Sequence, residues 1–277
     1  MARLAGEYGG FIVDLWGVVH DGVTPLPGAV DCLAHLREAG KRVVLLSNAP
    51  RRSAAAQAAM RAMGIPDALY DALLTSGEAA HIALRDRSDP WYAALGRRVF
   101  HLGPERDRNV MEGLDLEPVA APAEAEFVLN TGPDDHRQNH TVADFEDTLR
   151  ECARHRLRMI CANPDLEVIR GGVRVICAGA LAARYAELGG EVRSLGKPDP
   201  AIYAPVMEML GTEKPRTLAV GDALRTDIAG AKAAGVASCW VLGGIHGEAL
   251  GADAAGAREE VRRAGLSPVA CIPGFVW

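Results

Sequence analysis

The chain has no basic stripe. No basic run is longer than the pairs Arg51-Arg52 and Arg97-Arg98, and 30 Lys and Arg face 36 Asp and Glu for a net charge of −6. A sequence-independent grip on nucleic acid needs such a stripe, so nucleic acid is not expected as a partner. The six cysteines are scattered without any C-x-x-C spacing, which argues against a zinc or disulfide framework. Their apolar company, as in Ile176-Cys177-Ala178 and Ser238-Cys239-Trp240, predicts buried free thiols. No apolar stretch approaches the about 20 residues of a membrane helix. The chain opens without a charged-then-apolar signal segment and meets a strand almost at once. A cytoplasmic protein without a membrane span is therefore expected. Repeats and low-complexity tracts are also lacking.

What is there is enough apolar material for a large core: 277 residues, 49% of them hydrophobic. One big domain or two modest ones is the expectation for that length. Strand-like and helix-like segments alternate from end to end, which predicts βαβ units and a parallel sheet, an α/β fold. Strands are expected at Phe11–Asp14, Arg42–Leu46 and Ala72–Thr75, with helices over Gly28–Gly40 and Ser53–Met63. A second set of units follows, with strands at Val99–Leu102, Phe127–Asn130, Leu157–Cys161 and Val173–Ile176. After Gly189-Gly190 the first style resumes, with strands at Arg216–Val220, Ala237–Leu242 and Val269–Ile272 and a helix over Asp227–Ala234. The pattern suggests a core domain over residues 1–79 and 188–277, interrupted by an inserted α/β domain over 80–187.

Two apolar runs each deliver acids to a strand end. The first is Phe11-Ile12-Val13-Asp14; the second is Leu218-Ala219-Val220-Gly221-Asp222, with Asp227 shortly after. Ser47-Asn48 follows Val43-Val44-Leu45-Leu46, and Lys197-Pro198 stands in a loop. The carboxyl ends of parallel strands are where open α/β sheets bind ligands. A hydroxyl, a cation and three acids gathered there have the chemistry of phosphoryl transfer on a magnesium ion. Asp14 is the candidate nucleophile. Asp222, reinforced by Asp227, offers the carboxylate oxygens that Mg²⁺ favours. Lys197 would act as a point charge on phosphoryl oxygens and on Asp14, and Ser47 would offer hydroxyl and N–H to the phosphate. Taken singly, each residue also has a plain reading as a turn, cap or loop position. Their order and setting together carry the assignment.

These segments resemble the motifs of the haloacid dehalogenase (HAD) superfamily. Gly221-Asp222-Ala223-Leu224-Arg225-Thr226-Asp227 and Gly196-Lys197-Pro198-Asp199-Pro200 match two of its four motifs. Pro27-Gly28-Ala29, Leu46-Ser47-Asn48-Ala49-Pro50, Ala162-Asn163-Pro164-Asp165 and Cys177-Ala178-Gly179-Ala180 resemble the NagD-like subfamily IIA. The resemblance implies a Rossmann-like parallel-sheet core, an inserted α/β cap and a Mg²⁺-dependent phosphomonoester hydrolase. It implies an aspartyl-phosphate on Asp14 and a phosphate held by Ser47, Asn48 and Lys197. The metal would sit on Asp14, the Trp16 backbone carbonyl, Asp222 and Asp227. Asn163 and Asp165 would belong to the cap segment that helps select a small phosphorylated metabolite, such as a sugar phosphate or a nucleotide. Caps of this kind take part in dimer contacts, which leaves a homodimer open.

One position breaks the pattern. The family's second acid, two residues after the nucleophile, usually protonates the leaving group; here it is Trp16, whose indole only donates a weakly acidic N–H. Three explanations compete. His20, a few residues on, is a candidate substitute acid, although His20-Asp21-Gly22 also reads as a surface turn. A second is a substrate whose leaving group needs no acid. Or the protein is a catalytically impaired, metabolite-binding member of the fold. His246, after a later strand, is a further candidate to face the site.

Overall fold

The computed structural model describes residues 1–135, 141–170, 172–244 and 254–277. Six strands form the first sheet: β1 (Gly10–Val13), β2 (Arg42–Ser47), β3 (Ala72–Thr75), β11 (Thr217–Gly221), β12 (Ala237–Val241) and β13 (Ala270–Ile272). Their order is β13-β12-β11-β1-β2-β3, and every pairing is parallel. β1 is apolar throughout because helices cover both faces of the sheet, as a fully buried parallel strand requires. Alternate residues serve opposite faces. Phe11 and Val13 pack with Cys32, Leu33 and Leu36 of the helix Ala29–Glu38. Ile12 joins Val44, Leu46 and Leu74 against Tyr203, Val206 and Leu210 of the helix Tyr203–Leu210.

The middle of the chain builds a second parallel sheet from β4 (Arg98–Leu102), β5 (Glu117–Val119), β6 (Phe127–Asn130), β7 (Arg158–Cys161) and β10 (Val192–Ser194), in the order β10-β7-β6-β4-β5. Two clusters of its own line this sheet, one around Phe127 and Ile160, the other around Phe145 and Met159. Along the chain between β7 and β10 comes an antiparallel hairpin, β8 (Glu167–Arg170) with β9 (Val173–Ile176).

The structure departs from the sequence-based expectation at several places. A helix, Ala2–Glu7, precedes β1; only six residues long and without a side-chain cap, it has no periodic signal. β10 pairs with β7 although it lies beyond Gly189-Gly190, so a division at residue 188 cuts through the second sheet. Asp227 lies not in a regular helix but in a wider π turn, Leu224–Ile228, that leads into the helix Ala229–Ala234. Five of the six cysteines are buried and free, and Cys271 is exposed. No helix among the described residues is long and apolar enough to cross a membrane.

Candidate active site

The strand order reverses between β1 and β11, and the two strands end side by side on Asp14 and Asp222. Asp14 is fixed there by its N–H, which donates to the Val220 carbonyl at 2.9 Å. Lys197 enters from the loop after β10. Its Nζ donates to Asp14 Oδ1 at 2.5 Å, Asp227 Oδ1 at 2.6 Å and the Leu46 carbonyl at 3.0 Å. All three ammonium protons are thereby used. Oxygens of Asp14, Asp222 and Asp227 lie within 4.8 Å of one another, and all three residues are buried. Gly17 has φ +74°, and a Cβ there would collide with the Asp222 carboxylate, so only glycine fits beside that acid.

Burial pushes the Asp14 carboxyl up to about 8, against the pull of Lys197 and with repulsion from Asp227. Burial alone would lower Lys197, but Asp14, Asp227 and Asp165 outweigh it and hold the ammonium above its ordinary range. Ser47 is buried beneath them, and its Oγ accepts from the Ala49 N–H at 3.2 Å. Asn48 is a hub. Its Oδ1 accepts from Lys197 N at 2.8 Å and Ser76 Oγ at 3.2 Å. Its Nδ2 donates to Asp165 Oδ1 at 2.9 Å and the Lys197 carbonyl at 3.0 Å. With four bonds made, the amide has no capacity left for a phosphate; it positions Lys197 and ties the core to Asp165. Arg225 Nη2 donates to the Pro164 carbonyl at 2.9 Å, a second tie to the same segment. Within that segment Asn163 Oδ1 accepts from the Asp165 N–H at 3.0 Å, and burial raises the Asp165 pKa.

These residues open on a cavity of about 410 Å³, roofed by Glu167, Val168 and Ile169 of the β8–β9 hairpin. Asp14, Asp21, Asp165, Glu167, Asp222 and Asp227 line it, and Lys197 is the lone basic side chain that does so among the described residues. A phosphate dianion would not enter so acidic a cavity without a divalent cation. The buried set of hard carboxylate oxygens fits Mg²⁺, which favours such ligands.

Trp16 lines the same cavity, its indole lying flat against Gly22, where a Cβ would strike the ring. His20 sits edge-on to that indole, ring centroids 5.3 Å apart, buried and outside the cavity lining. Its Nδ1 accepts from the Gly22 N–H at 3.0 Å. Burial pushes its pKa down to about 4, which disfavours the imidazolium a general acid would need at neutral pH. Expected as a substitute acid, His20 is placed instead against the tryptophan ring and outside the cavity lining. His246 lies outside the described residues.

His20 does predict an acid sensitivity. A histidine depressed in the fold contributes stability that is fully present above its unfolded pKa and lost as pH falls. Denaturant unfolding should show a loss of up to about 3 kcal/mol from this residue between pH 6.5 and 4, at about 1.4 kcal/mol per pKa unit. In His20→Gln that part of the slope should disappear. An unchanged slope would place the neutral imidazole outside the acid response.

Sequence reading missed Ser76 and Arg225 as site residues and the hairpin's first strand, Glu167–Arg170, that roofs the cavity; the second strand, Val173–Ile176, lies where it was expected. Ser76 had a legible signal, since it follows a buried strand as Asp14 and Ser47 do. The first hairpin strand had none, because its residues are half-buried or exposed and do not alternate.

Comparison with known proteins agrees with this geometry. Residues 11–117 match the family model described as haloacid dehalogenase-like hydrolase, and residues 194–263 match one described as HAD-hydrolase-like. A solved haloacid dehalogenase-like hydrolase from Brucella suis is 33% identical, covers 100% of this chain and 98% of its own, and superposes with a TM-score of 0.85. The ribonucleotide monophosphatase NagD of Escherichia coli is 28% identical over 84% of this chain and 87% of its own. The glycerol phosphate phosphatase of Mycobacterium tuberculosis, solved in complex with magnesium, is 27% identical over 91% of this chain and 73% of its own, with a TM-score of 0.66. With a lysine bridging two acids at the switch point of its sheet and a likeness that runs the whole length, the chain belongs to the haloacid dehalogenase-like hydrolases, in their NagD-like branch.

Proposed function

We propose that this chain is a Mg²⁺-dependent phosphatase of a small phosphorylated metabolite, working through an aspartyl-phosphate on Asp14. The observation that carries the reading is Lys197 Nζ, held between Asp14 and Asp227 at 2.5 and 2.6 Å. That arrangement keeps a permanent cation beside the nucleophile and leaves the second Asp14 oxygen to attack. Phosphatase activity also accords with the names of the relatives, and magnesium with the mycobacterial complex. Asp14, Asp222, Asp227 and the Trp16 carbonyl would hold Mg²⁺, which when bound neutralises charge on the phosphoryl oxygens. Attack by Asp14 forms its O–P bond as the ester P–O bond breaks. Water then displaces the aspartate, restoring the carboxylate and releasing inorganic phosphate. Lys197 steadies the charge in both steps. The second sheet and its hairpin, residues 80 to about 195 counting β10, serve as the cap, with Asn163 and Asp165 as its contribution to substrate choice.

With Trp16 in the acid's place, nothing on that side protonates the leaving oxygen, so good leaving groups are favoured. A silent ligand-binding protein is the second reading, and Trp16 is the observation in its favour. The test is phosphate release from p-nitrophenyl phosphate and a panel of alkyl phosphates, with Mg²⁺ and with a chelator. Release that needs Mg²⁺ is expected. Mg²⁺ at a hundredfold its Kd should also stabilise the fold by about 2.7 kcal/mol, read as a raised Tm. Stabilisation without release from any ester would overturn the phosphatase in favour of the binder.

A further inference from the structure

A second cavity of about 200 Å³ adjoins the first and shares Trp16, Asp165 and Val168 with it. Its lining differs: where the first cavity holds one basic side chain among six acids, this one sets three arginines against Asp107, Asp135 and Asp165. Arg51, Arg106 and Arg170 converge on it, one each from the core, the cap and the end of the β8–β9 hairpin. Asp135 pairs with Arg106 at 3.1 Å, and Asp107 stands 3.6 Å from Arg51 Nε. Neither Arg51 Nε nor Asp107 Oδ1 has a hydrogen-bond partner, although both atoms are buried. The Arg51 guanidinium makes no side-chain hydrogen bond, and Arg170 no ion pair, among the described residues. A buried Nε–H without an acceptor is costly unless something else receives it. Burial lowers the Arg51 pKa, with Asp107 opposing and repulsion from Arg106 and Arg170 adding to it.

We infer that the second cavity receives a second anionic group of the substrate, a carboxylate or another phosphate, on Arg51, Arg106 and Arg170, while the reacting phosphoryl group sits at Asp14. The inference rests on the phosphatase reading and narrows it to phosphomonoesters with an acidic tail. Planar guanidinium donors suit both kinds of anion. Trp16 lies on the boundary and would pack against the carbons between the two anions. Its presence in place of an acid then has a use in substrate choice.

The test compares n-propyl phosphate with 3-phosphooxypropanoate and propane-1,3-diol bisphosphate, and the six-carbon counterparts of all three. Affinity is measured by calorimetry in the Asp14→Asn chain with Mg²⁺, and kcat/KM in the intact chain. At one length at least, an acidic-tailed ester should bind about tenfold to a hundredfold more tightly than the neutral one. Arg170→Gln and Arg106→Gln should each narrow that ratio, and added salt should narrow it too. The arm with the larger ratio identifies the anion. Equal affinities at both lengths, or a preference that survives both substitutions, would overturn the inference. An intact chain that hydrolyses none of the esters would fail the phosphatase reading instead, and the calorimetric comparison would still decide the subsite.

Discussion

Asp14→Asn should abolish phosphate release, lowering kcat on the order of 10⁴-fold or more, as loss of a covalent nucleophile does when the other groups act through it. The amide keeps the shape of the carboxylate and still accepts from Lys197 Nζ, but its oxygen does not form a phosphoenzyme. The acid-stable, hydroxylamine-labile phosphate on the protein should vanish with turnover. The fold should not suffer. Burial already holds the Asp14 carboxyl up at about 8, so the native site bears a desolvation cost that asparagine relieves. Lys197 keeps Asp227 at 2.6 Å as its counter-charge. A Tm equal to or above that of the unaltered chain is therefore expected alongside lost activity. Turnover within tenfold of the original would remove Asp14 from the mechanism. A collapse of the fold would show that the lysine needs both acids.

Asp14 was legible because it lies where a buried strand ends, as Asn48 and Asp222 do. β1, β2 and β11 are apolar on both faces, so a polar residue immediately after them stands out. Three such positions, Asp14, Asn48 and Asp222, at the mouth of one parallel sheet define a place as well as a chemistry. What escaped depends on contacts that cross the chain. Asn48 reads as one more phosphate ligand, yet its amide is consumed by Lys197, Ser76 and Asp165, residues 149, 28 and 117 positions away. His20 has a suitable intrinsic pKa in sequence, and only the packing against Trp16 and Gly22 shows it buried, with its pKa pushed down. Arg51, Arg106 and Arg170 are ordinary surface cations in sequence; the fold of the inserted sheet over the core makes them neighbours. The placement of β10 in the second sheet was likewise hidden, since three half-buried or exposed residues at an edge carry no pattern.

Trp16→Asp is the opposite experiment, a gain. Placing a carboxyl two residues after the nucleophile should raise kcat/KM for alkyl phosphates by about 10²–10⁴, the usual worth of general acid–base help. Turnover of p-nitrophenyl phosphate should change little, because its phenolate leaves without a proton. The ratio of the two rates is therefore the readout, and it is insensitive to how much of the variant is folded. Position 16 lines the cavity that Asp14 also lines, so the new acid would stand in the same space as the leaving oxygen. Loss of the indole has a separate cost, since it lies against Gly22 and His20. A lowered Tm is expected, and a lowered preference for acidic-tailed esters with it. If alkyl and aryl rates fall together, proton transfer does not limit the chain, and its natural substrate already leaves without help. If the alkyl rate rises alone, the tryptophan is what confines this enzyme to good leaving groups. It would then have given up breadth of reaction for an apolar surface between the phosphoryl site and the arginines.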